Sequence, residues 1–161
     1  MFAALLALLG WMAWIRRQYA FGKGGMMERV RQTILSSLDF DGRGSLLEVG
    51  CGSGALAVRA ALTWPEARIT GLDYWGAMYN YSQALCERNA ASEGVGKQRV
   101  FVLRDSMKPQ MYGDMNAFAQ ELRDMGFTEV RYAETSEAIF GSKRRAAMMM
   151  LGSSGMLVGR K

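Results

Sequence analysis

An α/β fold with a mostly parallel sheet and flanking helices is what this sequence predicts, and three observations carry it. Ser45 to Val49 (SLLEV) is a short apolar run bounded by turn residues, as a buried parallel strand is. Gly50-Cys51-Gly52-Ser53-Gly54 follows at once, and an alanine-rich, helix-favouring stretch then runs from Ala55 to Leu62. Strand, glycine loop and helix in that order form the first half of a βαβ unit. Composition agrees, since 161 residues with 50% hydrophobic and 22% charged describe a globular domain and exclude disorder, collagen and disulfide scaffolds.

The elements follow in order. Met1 to Ile15 (MFAALLALLGWMAWI) is an uncharged apolar run that ends at Arg16 and Arg17. At 1.5 Å per residue it spans ~22 Å, against a hydrocarbon layer of ~30 Å. Arginines after the run, with Trp11 and Trp14 near that end, favour a membrane segment with a cytoplasmic C-terminal flank, and the charge order is the reverse of a signal peptide's. A soluble amphipathic or buried helix is the alternative. Residues 1–17 are thus an expected membrane segment, 18–44 a linker with an amphipathic helix, and 45–161 the domain proper. In the linker Gly22, Gly24 and Gly25 break the chain, and Met26 to Leu38 places Met27, Val30, Ile34 and Leu38 on one helical face. Asp41-Gly42-Arg43-Gly44 then turns the chain.

After the first helix, Trp64-Pro65 is a stop and Ala67 to Leu72 (ARITGL) reads as the second strand, with Asp73 at its carboxyl end. A helix is expected over Ala77 to Ala91, with Tyr79, Tyr81, Leu85 and Cys86 as packing or surface residues. Val100 to Ser106 (VFVLRDS) is a further strand and its end. Tyr112-Gly113-Asp114 caps a helix on which Met115, Phe118, Ala119, Leu122 and Met125 recur, and Gly126-Phe127 stops it. Thr128 to Glu134 and Gly155 to Gly159 read as closing strands.

Charge and special residues narrow the chemistry. The chain has no histidine, which excludes Ser-His-Asp triads, Cys-His pairs and His-ligated zinc or haem. No metal site is expected. The net charge of +5 comes from five positive and two negative residues in 1–40, six and six in 41–100, and nine and seven in 101–161. With the middle balanced, no basic stripe for nucleic acid is present. Cys51 and Cys86, far apart in sequence, do not make a stapled secreted fold and suit a reducing compartment.

The loop glycines let the backbone take positive φ and approach a ligand at a helix N-terminus. An acidic residue about 20 positions further on, here Asp73, suits ribose hydroxyls. Gly50, Gly52 and Ala55 satisfy a dinucleotide pattern formally. Against that pattern stand the tight G-x-G-x-G spacing and Glu48, whose carboxylate repels a pyrophosphate and attracts an ammonium or sulfonium.

Glu48-Val49-Gly50-Cys51-Gly52-Ser53-Gly54 resembles the first motif, E/D-x-G-x-G-x-G, of the class I S-adenosylmethionine-dependent methyltransferases, and Gly71-Leu72-Asp73 resembles their second-strand acidic motif. The resemblance implies a Rossmann-like sheet with an antiparallel C-terminal strand pair and S-adenosylmethionine as cofactor. It implies that Gly50, Cys51, Gly52, Ser53 and Gly54 line the methionine moiety, that Glu48 acts near its amino group and that Asp73 holds the ribose. Tyr74 and Trp75 either stack on adenine or belong to the core. Val100 to Ser106 resembles the family's third strand, which would put Asp105 beside the adenine amino group. Read as its fifth strand, joined directly to the second helix, the same segment would not.

Compared with the family, the chain lacks room for one or more central βα units, each on the order of 30 residues. The expected function is methyl transfer to an unknown, small-molecule acceptor, with no general base nameable. A truncated, non-catalytic module that binds the cofactor or serves as an interaction surface is the alternative, and an NAD-linked enzyme a third. The resemblance further suggests a membrane-associated protein with its domain in the cytoplasm, of the kind found at bacterial inner membranes. A sheet short of central strands leaves edges open, so self-association is plausible. Lys143-Arg144-Arg145 followed by Met148-Met149-Met150-Leu151 is a basic and then apolar patch, a solvated face running into core or a second membrane contact.

Overall fold

The computed structural model describes residues 2–75, 81–96, 100–104, 115–134, 141–142, 144 and 155–160. Asp105, the Tyr112-Gly113-Asp114 cap and the Met148-Met149-Met150-Leu151 patch lie outside them. The chain forms two compact units, Met1–Leu38 with Ala133–Met156, and Asp39–Tyr132 with Leu157–Lys161.

The first unit contains helices α1 (Phe2–Tyr19) and α2 (Met26–Ser36). The turn between them uses Gly22 and Gly24 at φ 66° and 67°, a region closed to most side chains. It presses Gly25 against the end of α1, where a Cβ would stand 2.6 Å from the Arg17 carbonyl oxygen. The Met26 amide, one of the unpaired donors of the α2 N-terminus, is taken up by Gln18 Oε1 at 3.0 Å.

One expectation finds no support in this unit and a second is corrected. No helix among the described residues is long and apolar enough to cross a membrane, and Met1–Arg17, the expected membrane segment, falls in an 18-residue helix with no buried residue. Its length of ~27 Å still falls short of a hydrocarbon layer. On α2 the buried line is Met26, Glu28, Arg31 and Leu35, whereas the predicted stripe Met27, Val30, Ile34 and Leu38 is only half-buried. A charged pair causes the rotation: Arg31 Nη2 donates to Glu28 Oε2 at 2.9 Å, and the guanidinium lies 5.0 Å from the Phe21 ring centroid. Pairing lets both ends of the bridge be buried, which a hydrophobic stripe cannot anticipate.

The second unit carries the βαβαβ segment. Strand β1 (Ser45–Val49), α3 (Ala55–Thr63), β2 (Arg68–Asp73), α4 (Gln83–Ser92) and β3 (Val100–Arg104) follow in sequence. The three strands form a parallel sheet in the order β1-β2-β3, with Glu48 opposite Gly71 and Asp73 opposite Arg104. Val100–Arg104 therefore lies beside the second strand, the place of a third strand in a doubly wound sheet.

Packing explains the order. Ala57, Val58, Ala60 and Ala61 of α3 are at most 1% exposed, and beneath them Ile69 of β2 is fully buried. Alanines bring the helix axis close to the sheet, while Val58 and Ile69 each contribute roughly 1.5–3 kcal/mol by leaving water. Helix α3 ends at Trp64, ahead of Pro65, and the Trp64 ring meets Phe40 edge-on at 5.0 Å. Burial of β1 is less than its sequence suggests. Its residues alternate, with Leu47 54% and Val49 40% exposed, so one face of the strand is left open by the described residues.

Among the described residues a single helix, α5 (Met115–Asp124), stands between β3 and the final strands β4 (Thr128–Glu134) and β5 (Gly155–Arg160). Gly126, at φ 85°, stops α5 as expected, and the Phe127 amide returns to the Leu122 carbonyl at 2.9 Å. The start of β4 meets the end of β5, Thr128 Oγ1 donating to the Arg160 carbonyl at 3.2 Å, which is an antiparallel arrangement. Arg160 Nη2 also reaches Asp39 Oδ2 at 2.7 Å.

Candidate functional site

The β1–α3 loop is held by its own surroundings on every side. Gly50, Gly52 and Gly54 all have positive φ, at 79°, 55° and 80°. The amides of Gly50 and Cys51 donate to the Leu72 carbonyl at 2.7 and 3.1 Å, and the Gly54 amide to the Cys51 carbonyl at 2.7 Å. Gly52 donates to Asp73 Oδ2 at 2.7 Å. Gly71 opens the space below, since Cys51 Sγ lies 3.0 Å from where its Cβ would be.

Asp73 serves as the clasp between this loop and the end of β2. Its Oδ1 accepts the Trp75 amide at 2.6 Å while Oδ2 holds Gly52. Trp75 turns back over the loop at φ 47°, and its Nε1 donates to the Gly52 carbonyl at 2.8 Å. A bulky residue in left-handed backbone costs about 1–3 kcal/mol, and these two bonds hold it there. Tyr74 is exposed beside it. Ser53 contributes its carbonyl, which accepts Asn89 Nδ2 at 2.9 Å.

Glu48 lies under the loop. Its Oε2 is sealed from solvent without a hydrogen-bond partner. Burial pushes its pKa up to about 7, hydrogen bonding to the Ala57 backbone opposes the rise, and the Asp73 charge adds to it. Near neutral pH this group therefore exists in both protonation states.

Sequence reasoning missed one side of the site. Helix α4 presents Cys86 and Asn89 to the loop, and Tyr81 just before it lies 3.4 Å from the position a Gly52 Cβ would take. Cys86 Sγ occupies the place of a Gly54 side chain, so only glycine fits there. Both cysteines, 35 positions apart in sequence, are buried and free. Bonding to Cys86 and burial push the Cys51 thiol well above its usual range, and the same bond lowers that of Cys86. Signals for this face did exist in the sequence, namely the Ser82 cap, whose hydroxyl accepts the Leu85 amide, and the i, i+3 spacing of Cys86 and Asn89. Neither says which neighbour that face meets.

The arrangement has a chemical bias. The Asp73 carboxylate takes the Gly52 amide, a donor that a glycine loop usually offers to phosphate. A negative pair in a partly buried place favours a cationic ligand. Among the described residues no group of three or more Cys, Asp or Glu is placed to hold a metal ion.

Comparisons with known proteins give partial matches. No family model matches the chain. Residues of the chain are 37% identical over 60 positions, 36% of this chain and 21% of the relative, to the malonyl-[acyl-carrier protein] O-methyltransferase of Acetivibrio thermocellus. They are 36% identical over 81 positions, 50% of this chain and 25% of the relative, to the release factor glutamine methyltransferase of Chlorobaculum tepidum. The matches thus cover a quarter or less of the curated relatives' length, and both relatives are methyltransferases.

Proposed function

We propose that the loop site binds S-adenosylmethionine and that the chain is a methyltransferase domain acting on a small-molecule acceptor. One observation carries the reading: Asp73 occupies the Gly52 amide that a dinucleotide's pyrophosphate would need, and the Glu48 carboxylate is buried beneath the loop with Oε2 unpartnered. When bound, the cofactor supplies an electrophilic methyl group on a positively charged sulfur. The residues present fit such a group. Glu48 Oε2, buried and unpartnered, has acceptor capacity for an ammonium, and each Asp73 oxygen keeps a lone pair for a ribose hydroxyl. Trp75 and Tyr74 offer aromatic faces next to that ribose position. The role of the chain would be to align donor and acceptor and keep water out, a positional contribution that reaches several kcal/mol without a general base.

The test is calorimetric titration with S-adenosylhomocysteine. Micromolar binding that is lost in Asp73→Ala supports the reading, and absence of heat with the parent chain overturns it.

A second reading, a shortened non-catalytic module, is favoured by one specific feature. Residues 105–114 provide ten positions between β3 and α5, where a βα unit needs on the order of 30. Binding of S-adenosylhomocysteine without methyl transfer to any of a panel of nitrogen, oxygen and sulfur nucleophiles would select it.

A further inference from the structure

We infer that helix α1 is a lipid anchor whose apolar part lies in one leaflet of an anionic bilayer, with Arg16 and Arg17 at the level of the phosphates. Large apolar side chains stand open to solvent along it from Phe2, at 74% exposure, to Trp14, at 54%, and no residue of the helix is buried. Single exposed leucines are ordinary on a folded protein. A continuous apolar run over successive turns is not, and marks a surface that something else covers.

Shape and charge decide what covers it. At about 100° per residue, Trp11, Met12, Leu6 and Trp14 fall on four different sides, so apolar surface surrounds the helix. A second copy of α1 would cover one stripe and leave the others in water, because paired helices meet along a seam. Lipid tails cover every side at once. Charge then selects among lipids. Arg16, Arg17 and Lys23 are exposed at the end of α1 and in the turn after it, and the first acidic residue of the sequence is Glu28, which is buried and paired with Arg31 at 2.9 Å. A cationic cluster at the edge of an apolar rod matches anionic headgroups above hydrocarbon.

Depth follows from length. The apolar part, Phe2 to Ile15, rises ~21 Å at 1.5 Å per residue, more than the ~15 Å of hydrocarbon in one leaflet and less than the ~30 Å of two. The helix therefore enters without emerging on the far side, and a tilt of about 45° keeps it within a single leaflet. Trp11 and Trp14 stand within about 8 Å of Arg16 along the axis, in the zone between tails and headgroups that indoles favour. Anchoring of this kind is independent of any ligand at the glycine loop.

The full chain is mixed with vesicles of phosphatidylglycerol and phosphatidylcholine in equal parts, or of phosphatidylcholine alone, and bound protein is separated by flotation. Binding about tenfold or more tighter to the anionic vesicles, and weakened by salt, is expected. Arg16→Gln combined with Arg17→Gln should lower that affinity roughly 25-fold. Leu6→Asp combined with Leu9→Asp should abolish it. All four positions are exposed, so an unchanged denaturation midpoint is expected for both variants. Tail-brominated lipid should quench part of the tryptophan emission, and that part should vanish in Trp11→Phe with Trp14→Phe. Should the leucine variant unfold, the arginine variant and the quenching decide alone. No binding to anionic vesicles, equal binding to both kinds, binding that survives the leucine substitutions, or lipid-free dimers that those substitutions dissolve would overturn the inference.

Discussion

Helices α1 and α3 are both apolar and rich in alanine and leucine, yet α3 has four core residues at most 1% exposed and α1 has none. Eight large apolar side chains on α1, from Phe2 to Trp14, are half or more exposed. The difference lies in what surrounds each helix. Helix α3 is tied at its N-terminus by Gly54, flanked by two paired strands, and built with residues small enough to touch the sheet. Hydrophobic composition is shared by both, but only α3 is given neighbours by the adjacent sequence. Burial is thus a property of the βαβ unit rather than of the helix that it contains.

Substitutions at the two helices should separate in the same way. The largest effect is expected at Gly54→Ala, which adds a Cβ where Cys86 sulfur already sits and forces it into left-handed backbone. A loss of about 3–4 kcal/mol in chemical denaturation is the expectation, and a loss below about 1 kcal/mol would show that the loop yields easily.

Glu48→Gln probes the same loop through its charge. The native pKa of about 7 lies above the ordinary 4.5, so the folded chain keeps a proton that the unfolded chain has released between those values. Stability from this group therefore falls as pH rises from about 4.5 to 7 and stays low above, by about 2–3 kcal/mol. The variant should lack that slope and exceed the parent in stability at pH 8, while binding a cationic ligand more weakly. Parallel pH profiles for the two proteins would contradict the assignment.

At the other extreme, Leu9→Ser on α1 should change the denaturation midpoint by no more than about 0.5 kcal/mol, as for other exposed sites. A loss of 2 kcal/mol or more by this scale would mean that α1 is covered in solution.

Much of this architecture was legible because local signals and tertiary demands coincide in it. The run of SLLEV, three glycines and alanines specified β1, the loop and α3, since each element is defined by short-range patterning, and Asp73 fell at the end of β2 where the spacing put it. Legibility failed where the determining partner is remote. Nothing in the periodicity of α4 says that Cys86 and Asn89 meet residues more than 30 positions earlier. The half-exposure of β1 depends on which of its faces other elements cover, and the buried face of α2 on an ion pair, neither of which leaves a trace in hydrophobic spacing. Glu48 was singled out for its charge, but its shared protonation at neutral pH comes from burial that no single sequence displays.

Trp75 turns the loop into an optical gauge of itself. Its indole is bonded to the very carbonyl that the clasp positions, so any shift of Gly52 changes the polarity around the ring. Three other tryptophans emit in the same range, at positions 11, 14 and 64. With those replaced by phenylalanine, emission colour alone would follow the turn in real time, with no dye and no bound partner required.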